Sequence, residues 1–366
     1  MSIMNKIFIW ALFFVLCLFC RVQARNVEIS SPDGRLKVRI CLNKSIVYNV
    51  LSDKNIVLRD CLLGMTLADR TLGENNPKLK HTSRGVVNES IRREIPLKNA
   101  VIKNRYNWVC LNFSGDYAVE FRVYDDGIAY RFLLGKKDSV NVMNEKFVIS
   151  FPSDYQAIIA RTGSFKTSYE NPYVHINTAG YKPEDTMCYL PVLLKSDKGY
   201  KILLSETDLH DYPCMFLKGT GRNGLQSIFP KCPIVFGYDG DRSVKIEREA
   251  DYIARTAGTR SFPWRFMTIT KDDRRVVDND MEFNLASPCK LKDCSWIKPG
   301  QASWDWWNHR RLYGVDFRAG VNDDTYKYYI DFASKYHIPY IVIDEGWAKD
   351  TRDPYHSISA IHLQSL

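Results

Sequence analysis

Residues 304–347 carry a pattern of strand, helix and strand, and this pattern restricts the fold more than any other part of the sequence. Asn322 or Asp323 can cap a helix, and Pro339 would end it. The apolar residues between them recur at the i, i+3, i+4, i+7 spacing of one buried helix face. They are Tyr326, Tyr329, Ile330 and Ala333.

The strand predicted after this helix, residues 340–343, is apolar without alternation. Both of its faces should therefore be covered, as in a parallel sheet flanked by helices. It ends in Asp344, Glu345, Gly346 and Trp347. Barrels of alternating strands and helices place their active-site residues at such strand ends.

Carboxylates that bind hydroxyl groups, beside aromatic rings that cover apolar ring faces, suit a sugar. Asp344, Glu345 and Trp347, with Trp304 on the first strand, are therefore candidate substrate-binding residues. A purely structural alternative stays open, in which Asp344 caps a turn and Trp347 belongs to the core. Alternation along a strand places Trp304 and Trp306 on one side and Trp307 on the other. We expect at least two of the three to pack in the barrel interior or between domains, which leaves one that could form a sugar platform.

Residues 25–270 have the pattern of an antiparallel β-sandwich. Apolar residues alternate along 36–42, and hairpins are predicted over 117–134 and 192–204. A late strand follows at 264–269. Many short strands with few helical periods predict two sheets packed face to face.

Residues 271–301 are charged and interrupted by Pro288, Pro299 and Gly300, which predicts a linker. After it the apolar period changes from that of strands to that of helices. The predicted fold is therefore mainly β: an N-terminal antiparallel super-sandwich, then the first strand-helix-strand unit of a (β/α)8 barrel over 302–366. A closed barrel takes roughly 250 residues, so we expect this barrel to be incomplete.

Charge and composition argue against nucleic-acid recognition. The formal charge of +9 falls by two if residues 1–24 are removed, and basic residues form no run longer than a pair. Those 24 residues resemble a cleaved signal peptide: Lys6 precedes an apolar run from Ile7 to Cys20. The run is short for a membrane anchor, which needs about 20 apolar residues. We expect export across the inner membrane, a periplasmic location and no stable membrane anchor.

The cysteines do not form the dense framework of a small secreted domain. Eight lie after the predicted signal peptide, and Cys289 and Cys294 are the candidate local disulfide pair. We expect most of the others to be small buried residues. No CxxC or HExxH motif occurs, so a zinc site has no support.

Three runs together resemble the start of the catalytic barrel of glycoside hydrolase family 97: Asp293 to Gly300, Trp304 to Trp307 and Tyr313 to Phe317. The resemblance extends more weakly through most of the chain. It implies a calcium-dependent α-glycosidase acting on α-linked oligosaccharides of glucose or galactose. The resemblance leaves both inversion and retention open, since the family contains enzymes of both kinds. It implies that the catalytic carboxyl groups lie on later barrel strands, beyond Leu366, so no catalytic residue is named.

The resemblance also implies a metal ligand, because Ser205 to Leu209 is similar to the family segment that supplies one calcium-binding glutamate. Glu206 is therefore the candidate Ca²⁺ ligand, although one carboxylate cannot supply the six to eight oxygens that calcium prefers. Without the resemblance, Glu206 would be interpreted as a solvated strand-end acid. Arg260 and Arg265, which flank residues 262–264, are interpreted as residues of a domain interface.

The leading hypothesis is an exported α-glycosidase that would be inactive as this fragment. The alternatives are a non-catalytic carbohydrate-binding sandwich and a structural β-domain.

Overall fold

The structure is a computed structural model that describes residues 25–95, 97–240 and 243–366. The predicted signal peptide, 1–24, lies outside the described residues. The chain divides into two compact units. Unit 1 contains the described residues up to Ile91, Ile102–Cys232 and Asp251–Ser287, and unit 2 contains Arg92–Val101, Pro233–Ala250 and Pro288–Leu366.

Strands dominate the described residues. In chain order they are β1 (Arg25–Ser30), β2 (Leu36–Leu42), β3 (Ile46–Ser52), β4 (Asn55–Leu67), β5 (Thr71–Leu72), β6 (Leu79–Arg92), β7 (Val101–Phe113), β8 (Tyr117–Tyr124), β9 (Gly127–Gly135), β10 (Val140–Ser150), β11 (Gln156–Thr162), β12 (Tyr173–Asn177), β13 (Met187–Lys195), β14 (Lys201–Thr207), β15 (Phe216–Gly219), β16 (Gly224–Ile228), β17 (Pro233–Asp239), β18 (Ser243–Glu249), β19 (Ala254–Thr256), β20 (Thr259–Ser261), β21 (Trp264–Thr270), β22 (Ala302–Trp304), β23 (Tyr340–Val342), β24 (Ala348–Asp350) and β25 (Asp353–Ser357).

Helices are few. The α-helices are α1 (Asp273–Val277), α2 (Met281–Leu285) and α3 (Asp323–Lys335), and Thr178–Gly180 and Asp305–Asn308 form 3₁₀ turns.

Unit 1 is a large antiparallel β-structure, which confirms the predicted mainly-β class. One series of pairings runs from β7 through β8, β9, β21 and β14 to β13. A second runs from β1 through β2, β3, β4, β10 and β16 to β15. Strand β13 also pairs with β15, so it joins the two series.

The two series face each other across one apolar core. Tyr48 of β3 contacts Phe121 of β8 with ring centroids 5.7 Å apart, and both side chains are fully buried. Alternation explains this packing: Val119, Phe121 and Val123 point inward, whereas Glu120 and Arg122 between them lie on the other face. Burying each such large side chain contributes about 1.5–3 kcal/mol.

The segment predicted as a linker contains two short helices. Asp272 caps α1 by accepting a hydrogen bond from the Arg274 N–H. Met281 and Leu285, four residues apart on α2, are buried in a cluster with Trp264 and Phe266 of β21. Because these side chains are buried there, the segment up to Ser287 belongs to unit 1.

Unit 2 contains the predicted strand-helix-strand arrangement in residues 302–342. Strand β22 pairs in parallel with β23, and α3 lies between them in the chain. The Asn322 side chain caps α3 by accepting from the Thr325 N–H. Tyr326, Tyr329 and Ala333 are buried as predicted, whereas Ile330 is only half-buried. That this unit begins a (β/α)8 barrel stays a prediction.

The prediction that both faces of residues 340–343 are covered is wrong for the described chain. Tyr340 and Val342 are 43% and 45% exposed. The physical reason is that β23 pairs only with the three-residue strand β22 in a two-stranded sheet, so these side chains have no second layer of described residues to pack against.

Two further hairpins complete unit 2. Strand β17 pairs with β18, and β24 pairs with β25. Arg352, in the turn between β24 and β25, places its guanidinium carbon 4.1 Å from the centroid of Tyr238 on β17. Among all the described residues, the structure has no helix that is long and apolar enough to cross a membrane.

All eight described cysteines are free thiols. Cys289 and Cys294, the predicted disulfide pair, have their sulfur atoms 3.8 Å apart, where one thiol can donate a hydrogen bond to the other, and no disulfide joins them. Only Cys61 and Cys188 are fully buried, so the expectation that most of the others are buried is wrong. Burial raises the pKa of each of these two thiols to about 12.

Thiol labelling should separate these classes. A thiol with a pKa of about 12 stays protonated at pH 7 and at pH 9. Cys61 and Cys188 should therefore resist Ellman's reagent in the folded protein at both pH values. Exposed Cys289 is the internal control and should react at both pH values. Peptide mass spectrometry identifies the labelled sites; labelling of Cys61 as fast as Cys289 without denaturant would contradict the assignment.

Candidate functional site

Glu206, the predicted calcium ligand, lies near the end of β14 and points into unit 1. It follows Ile202 and Leu204 on the same inward face, since side chains two apart on a strand share a face. Its side chain is only 7% exposed. The interpretation of Glu206 as a solvated acid is therefore wrong.

The partner of Glu206 is Arg265, which stands directly opposite it on β21. Arg265 is fully buried and donates through Nη1 to Glu206 Oε2. Its other edge bonds Glu145 of β10 twice, with Nε to Oε1 at 2.8 Å and Nη2 to Oε2 at 2.7 Å. These three residues form a closed ion cluster within the sandwich, and such paired geometry is the condition under which buried charges are tolerated.

The cluster changes the ionisation of its members. Burial raises the pKa of the Glu206 carboxyl above its ordinary value, although the Arg265 charge and the Met215 N–H both act against the shift. Burial alone would lower the pKa of Arg265, but the charges of Glu145 and Glu206 outweigh it and raise that pKa. The guanidinium is therefore held in its charged form.

The oxygens of Glu206 are already engaged. Oε2 accepts from Arg265, and Oε1 accepts from the Met215 N–H at 3.0 Å. In the described part of the chain no group of three His, Cys, Asp or Glu residues is arranged to hold a metal ion. These residues by themselves do not fit calcium, which prefers six to eight oxygen ligands.

The interpretation of Arg265 as a domain-interface residue is wrong, because it is fully buried inside unit 1, whereas for Arg260 that role stays a prediction. Arg265 joins the ion cluster, whereas Arg260 donates to the Ser261 carbonyl at 3.0 Å and to the His210 carbonyl at 2.6 Å. Alternation explains the inward position of Arg265, since Met267 and Ile269 continue the same buried face of β21.

A second buried carboxylate organises the start of unit 2. Asp305, in the turn after β22, is 1% exposed. Its Oδ2 accepts from the Tyr326 hydroxyl of α3 at 2.9 Å and from Arg310 Nε at 3.2 Å. Its Oδ1 accepts from the Asp344 N–H, just after β23, at 3.1 Å. Asp305 therefore ties together the end of β22, the helix α3 and the end of β23.

The predicted substrate-binding residues lie at this strand end. Asp344, Glu345 and Trp347 are half-buried, and Gly346 has a φ of +98°, which an L side chain rarely adopts. Asp344 Oδ1 accepts from the Glu345 N–H at 2.8 Å, and Arg310 Nη2 donates to the Glu345 carbonyl at 2.9 Å. The turn is thus held by backbone contacts, and its carboxylates belong to a fixed loop.

Trp304 is 40% exposed, with its ring centroid 6.4 Å from that of Trp307. Trp306 and Trp307 are 41% and 84% exposed. The prediction that at least two of the three pack inside is therefore wrong for the described chain. The strand ends at Trp304 and a 3₁₀ turn begins at Asp305, so alternation stops before Trp306.

Sequence reasoning missed Glu145 and Asp305. A signal for Glu145 was present, because it shares the period-two face of Phe147 and Ile149 on β10. The position of Asp305 within a run of three tryptophans was a weaker signal, since a carboxylate among large aromatic residues is either exposed or fully paired.

Removing the cation of the ion cluster tests its role. Arg265→Met should lower the free energy of unfolding by about 3–5 kcal/mol, because two buried carboxylates lose their partner. Urea unfolding measures this change. The control Arg274→Met, at an ion pair whose arginine is 89% exposed, should change stability by less than about 0.5 kcal/mol. The triple variant Glu145→Gln, Glu206→Gln, Arg265→Met should recover much of the loss; no recovery would argue against an electrostatic origin.

The Asp305 contacts give a second test. Asp305→Ala should destabilise unit 2 by about 3 kcal/mol, since it leaves Tyr326 and Arg310 without their acceptor. Amide hydrogen exchange should accelerate at Asp344, whose N–H bonds Asp305 directly. The exposed acid Asp331 on the same unit supplies the control Asp331→Ala. Equal exchange at Asp344 in both variants would refute this role.

Comparison with known proteins identifies relatives along nearly the whole chain. It is 35% identical to a protein named retaining alpha-galactosidase from Bacteroides thetaiotaomicron over 371 aligned residues, covering 97% of this chain and 56% of that protein. It is 26% identical to a probable retaining alpha-galactosidase from Streptomyces bingchenggensis, covering 88% of this chain and 46% of that protein. The chain thus spans about half the length of these curated relatives.

Solved structures show the same fold. A glycoside hydrolase family 97 enzyme from Pseudoalteromonas sp. strain K8, solved with acarbose, superposes with a TM-score of 0.75 at 20% identity over 93% of this chain and 52% of that one. A β-arabinopyranosidase superposes with a TM-score of 0.73 at 21% identity over 89% of this chain and 52% of that one.

Family sequence models match both parts of the chain. The glycosyl-hydrolase 97 N-terminal model covers residues 29–288, and the glycoside hydrolase 97 model covers 306–366. The unmatched residues between them, 289–305, overlap the end of the segment 271–301 and the strand β22. The chain belongs to glycoside hydrolase family 97.

Proposed function

We propose that this chain forms part of an α-glycosidase of family 97 that acts on α-galactosides. The observation that carries the proposal is the 35% identity to a retaining alpha-galactosidase along 97% of this chain. The second curated relative is also named an α-galactosidase, which favours galactose over the glucose alternative. The proposed substrate is an α-linked oligosaccharide.

The proposed chemistry is hydrolysis with retention, following the names of both relatives. Retention needs two carboxyl groups about 5–5.5 Å apart, one a nucleophile and one an acid that then acts as a base. We assign neither to a residue of this chain and expect both to lie on later barrel strands. The 366-residue chain alone is then inactive.

The contribution of this chain to the substrate site is proposed to be positioning. The Asp344–Trp347 turn offers carboxylates for sugar hydroxyls, and Trp304 and Trp347 offer ring surfaces for the apolar faces of a pyranose. What supports this role is the fixed geometry of the turn, which Asp305 and Arg310 hold at 3.1 and 2.9 Å. A fixed site loses less entropy when it orders its ligand.

Calcium dependence, implied by the family, stays a prediction. Bound calcium would polarise the sugar or the attacking water. Glu206 is the proposed ligand from this chain, but Arg265 and Met215 engage its oxygens, so no step of the reaction is assigned through the metal. Export to the periplasm with cleavage after residue 24 is likewise proposed from the sequence of 1–24.

Activity assays test the proposal. The 366-residue chain and a version extended by its downstream reading frame to the length of the curated relatives are compared on p-nitrophenyl α-galactoside and α-glucoside, with and without a chelator. Only the extended form should turn over substrate, with the galactoside preferred, the first product an α-anomer by NMR, and activity lost on chelation.

A matched pair of variants of the extended form tests the turn. Trp347→Ala should raise KM by about tenfold, a loss of about 1.4 kcal/mol. Trp296→Ala, at a 70% exposed residue outside the turn, should leave KM within twofold. An extended form that hydrolyses neither glycoside would refute the proposed activity, and equal KM values in the two variants would refute only the role of Trp347.

A further inference from the structure

Unit 1 has a cleft of about 410 Å³ that the proposed hydrolase site does not use. It lies on β6, β7 and β8, on the face opposite the core, and is called the outer-face cleft below. Its lining includes His81, Tyr106, Trp108, Asn112, Glu120 and Arg122. On β7 the lining residues alternate with Val109 and Leu111, which are fully buried in the core. The alternation of side chains along the strand therefore sends apolar residues into the core and aromatic and polar residues into the cleft.

Trp108 is held in place by a glycine. A Cβ atom added at Gly85 of β6 would lie 2.6 Å from Trp108 Nε1 and 2.8 Å from its Cζ2. The indole therefore lies directly against the β6 backbone, where no side chain larger than hydrogen fits. The ring is only half-buried. A pre-positioned aromatic ring at a cleft surface is a stacking platform with little conformational entropy to lose.

The charged groups at the floor of the cleft are paired, with one carboxylate, Glu120, bonding two arginines. Glu120 Oε1 accepts from Arg122 Nε and Oε2 accepts from Arg131 Nε, both at 2.9 Å. The Arg122 guanidinium carbon also lies 4.7 Å from the Tyr106 ring centroid and 4.4 Å from that of Trp264. Paired and stacked in this way, these groups are rigid hydrogen-bonding surfaces rather than free charges.

Two further lining residues, His81 and Asn112, offer hydrogen-bonding groups. His81 is exposed and Asn112 is half-buried. The Asn112 amide nitrogen donates weakly to the Cys110 carbonyl at 3.4 Å, which leaves its oxygen available as an acceptor. The α2 residues Met281 and Leu285 cover the Trp264 and Phe266 end of this sheet face in one cluster.

We propose that the outer-face cleft is a non-catalytic binding site for a neutral oligosaccharide. The volume is in the range of small-ligand sites, about 300–1,000 Å³. An aromatic face beside directed donors and acceptors matches the apolar faces and hydroxyl edges of a pyranose. Both arginines at the floor are already paired with Glu120, so a phosphate or other strongly anionic ligand would have to compete with that carboxylate for them. This proposal does not rest on the proposed hydrolase, since binding is measured without turnover.

Isothermal titration of the 366-residue chain with maltotriose and with raffinose tests the site, with cellotriose as the β-linked comparison. At least one α-linked probe should bind. Trp108→Ala should weaken that binding by about tenfold or more, equivalent to about 1.4 kcal/mol. Gly85→Ala should weaken it comparably, because the added methyl displaces the indole. The control Trp296→Ala changes an exposed tryptophan of unit 2 and should stay within twofold.

A second readout places the ligand. The Nε1–H signal that disappears from the ¹H–¹⁵N spectrum in Trp108→Ala should be the one that the sugar shifts in the unaltered chain. If circular dichroism shows that Trp108→Ala or Gly85→Ala is unfolded, the surface variants His81→Ala and Asn112→Ala replace it. Each of these should weaken binding about threefold, or roughly 0.7 kcal/mol. Absence of binding by all three probes at millimolar concentration, or unchanged affinity in the cleft variants, overturns the proposal. Neither outcome bears on hydrolysis by the extended protein.

Discussion

The buried pairing of Arg265 with Glu145 and Glu206 is the constraint on which the sandwich depends. Three strands, β10, β14 and β21, each contribute one charged side chain to the inward face at the same level. Removing Arg265 leaves two buried carboxylates without their counter-charge, whereas apolar neighbours tolerate small changes of shape. The cluster therefore fixes how these strands meet, and the apolar core fills the space behind it.

The same cluster limits what Glu206 can do. A carboxylate that already accepts from a guanidinium and a backbone N–H is directed before any ligand arrives. Its burial raises its pKa, so the protonated carboxyl is favoured more than in a solvated glutamate. For Glu206 to bind a metal ion, Oε2 of Glu206 would have to give up its hydrogen bond from Arg265. Sequence similarity to the family does not show this competition.

The sequence predicted the fold class and many elements because period-two and period-3.6 patterns report burial directly. The strands around Phe121 and the buried face of α3 were predicted on that basis. It failed where charged residues occupy inward positions, as at Glu145 and Arg265, since polar residues are expected outside unless their partners are known. It also failed at Trp306, where an unrecognised 3₁₀ turn ended the alternation. The half-exposed Val342 shows the converse case, an apolar residue without a second layer of described residues over it.

Asp305 has a consequence for how the polypeptide acquires structure during synthesis. Its carboxylate is translated 21 residues before Tyr326 and 39 residues before Asp344, the two groups that later satisfy it. Until those residues leave the ribosome, the carboxylate has only water and Arg310 to bond. Dehydrating it earlier would be costly. Residues 302–342 are therefore expected to remain hydrated and unpacked on the ribosome until the second strand has emerged, even though the preceding sandwich has already been made.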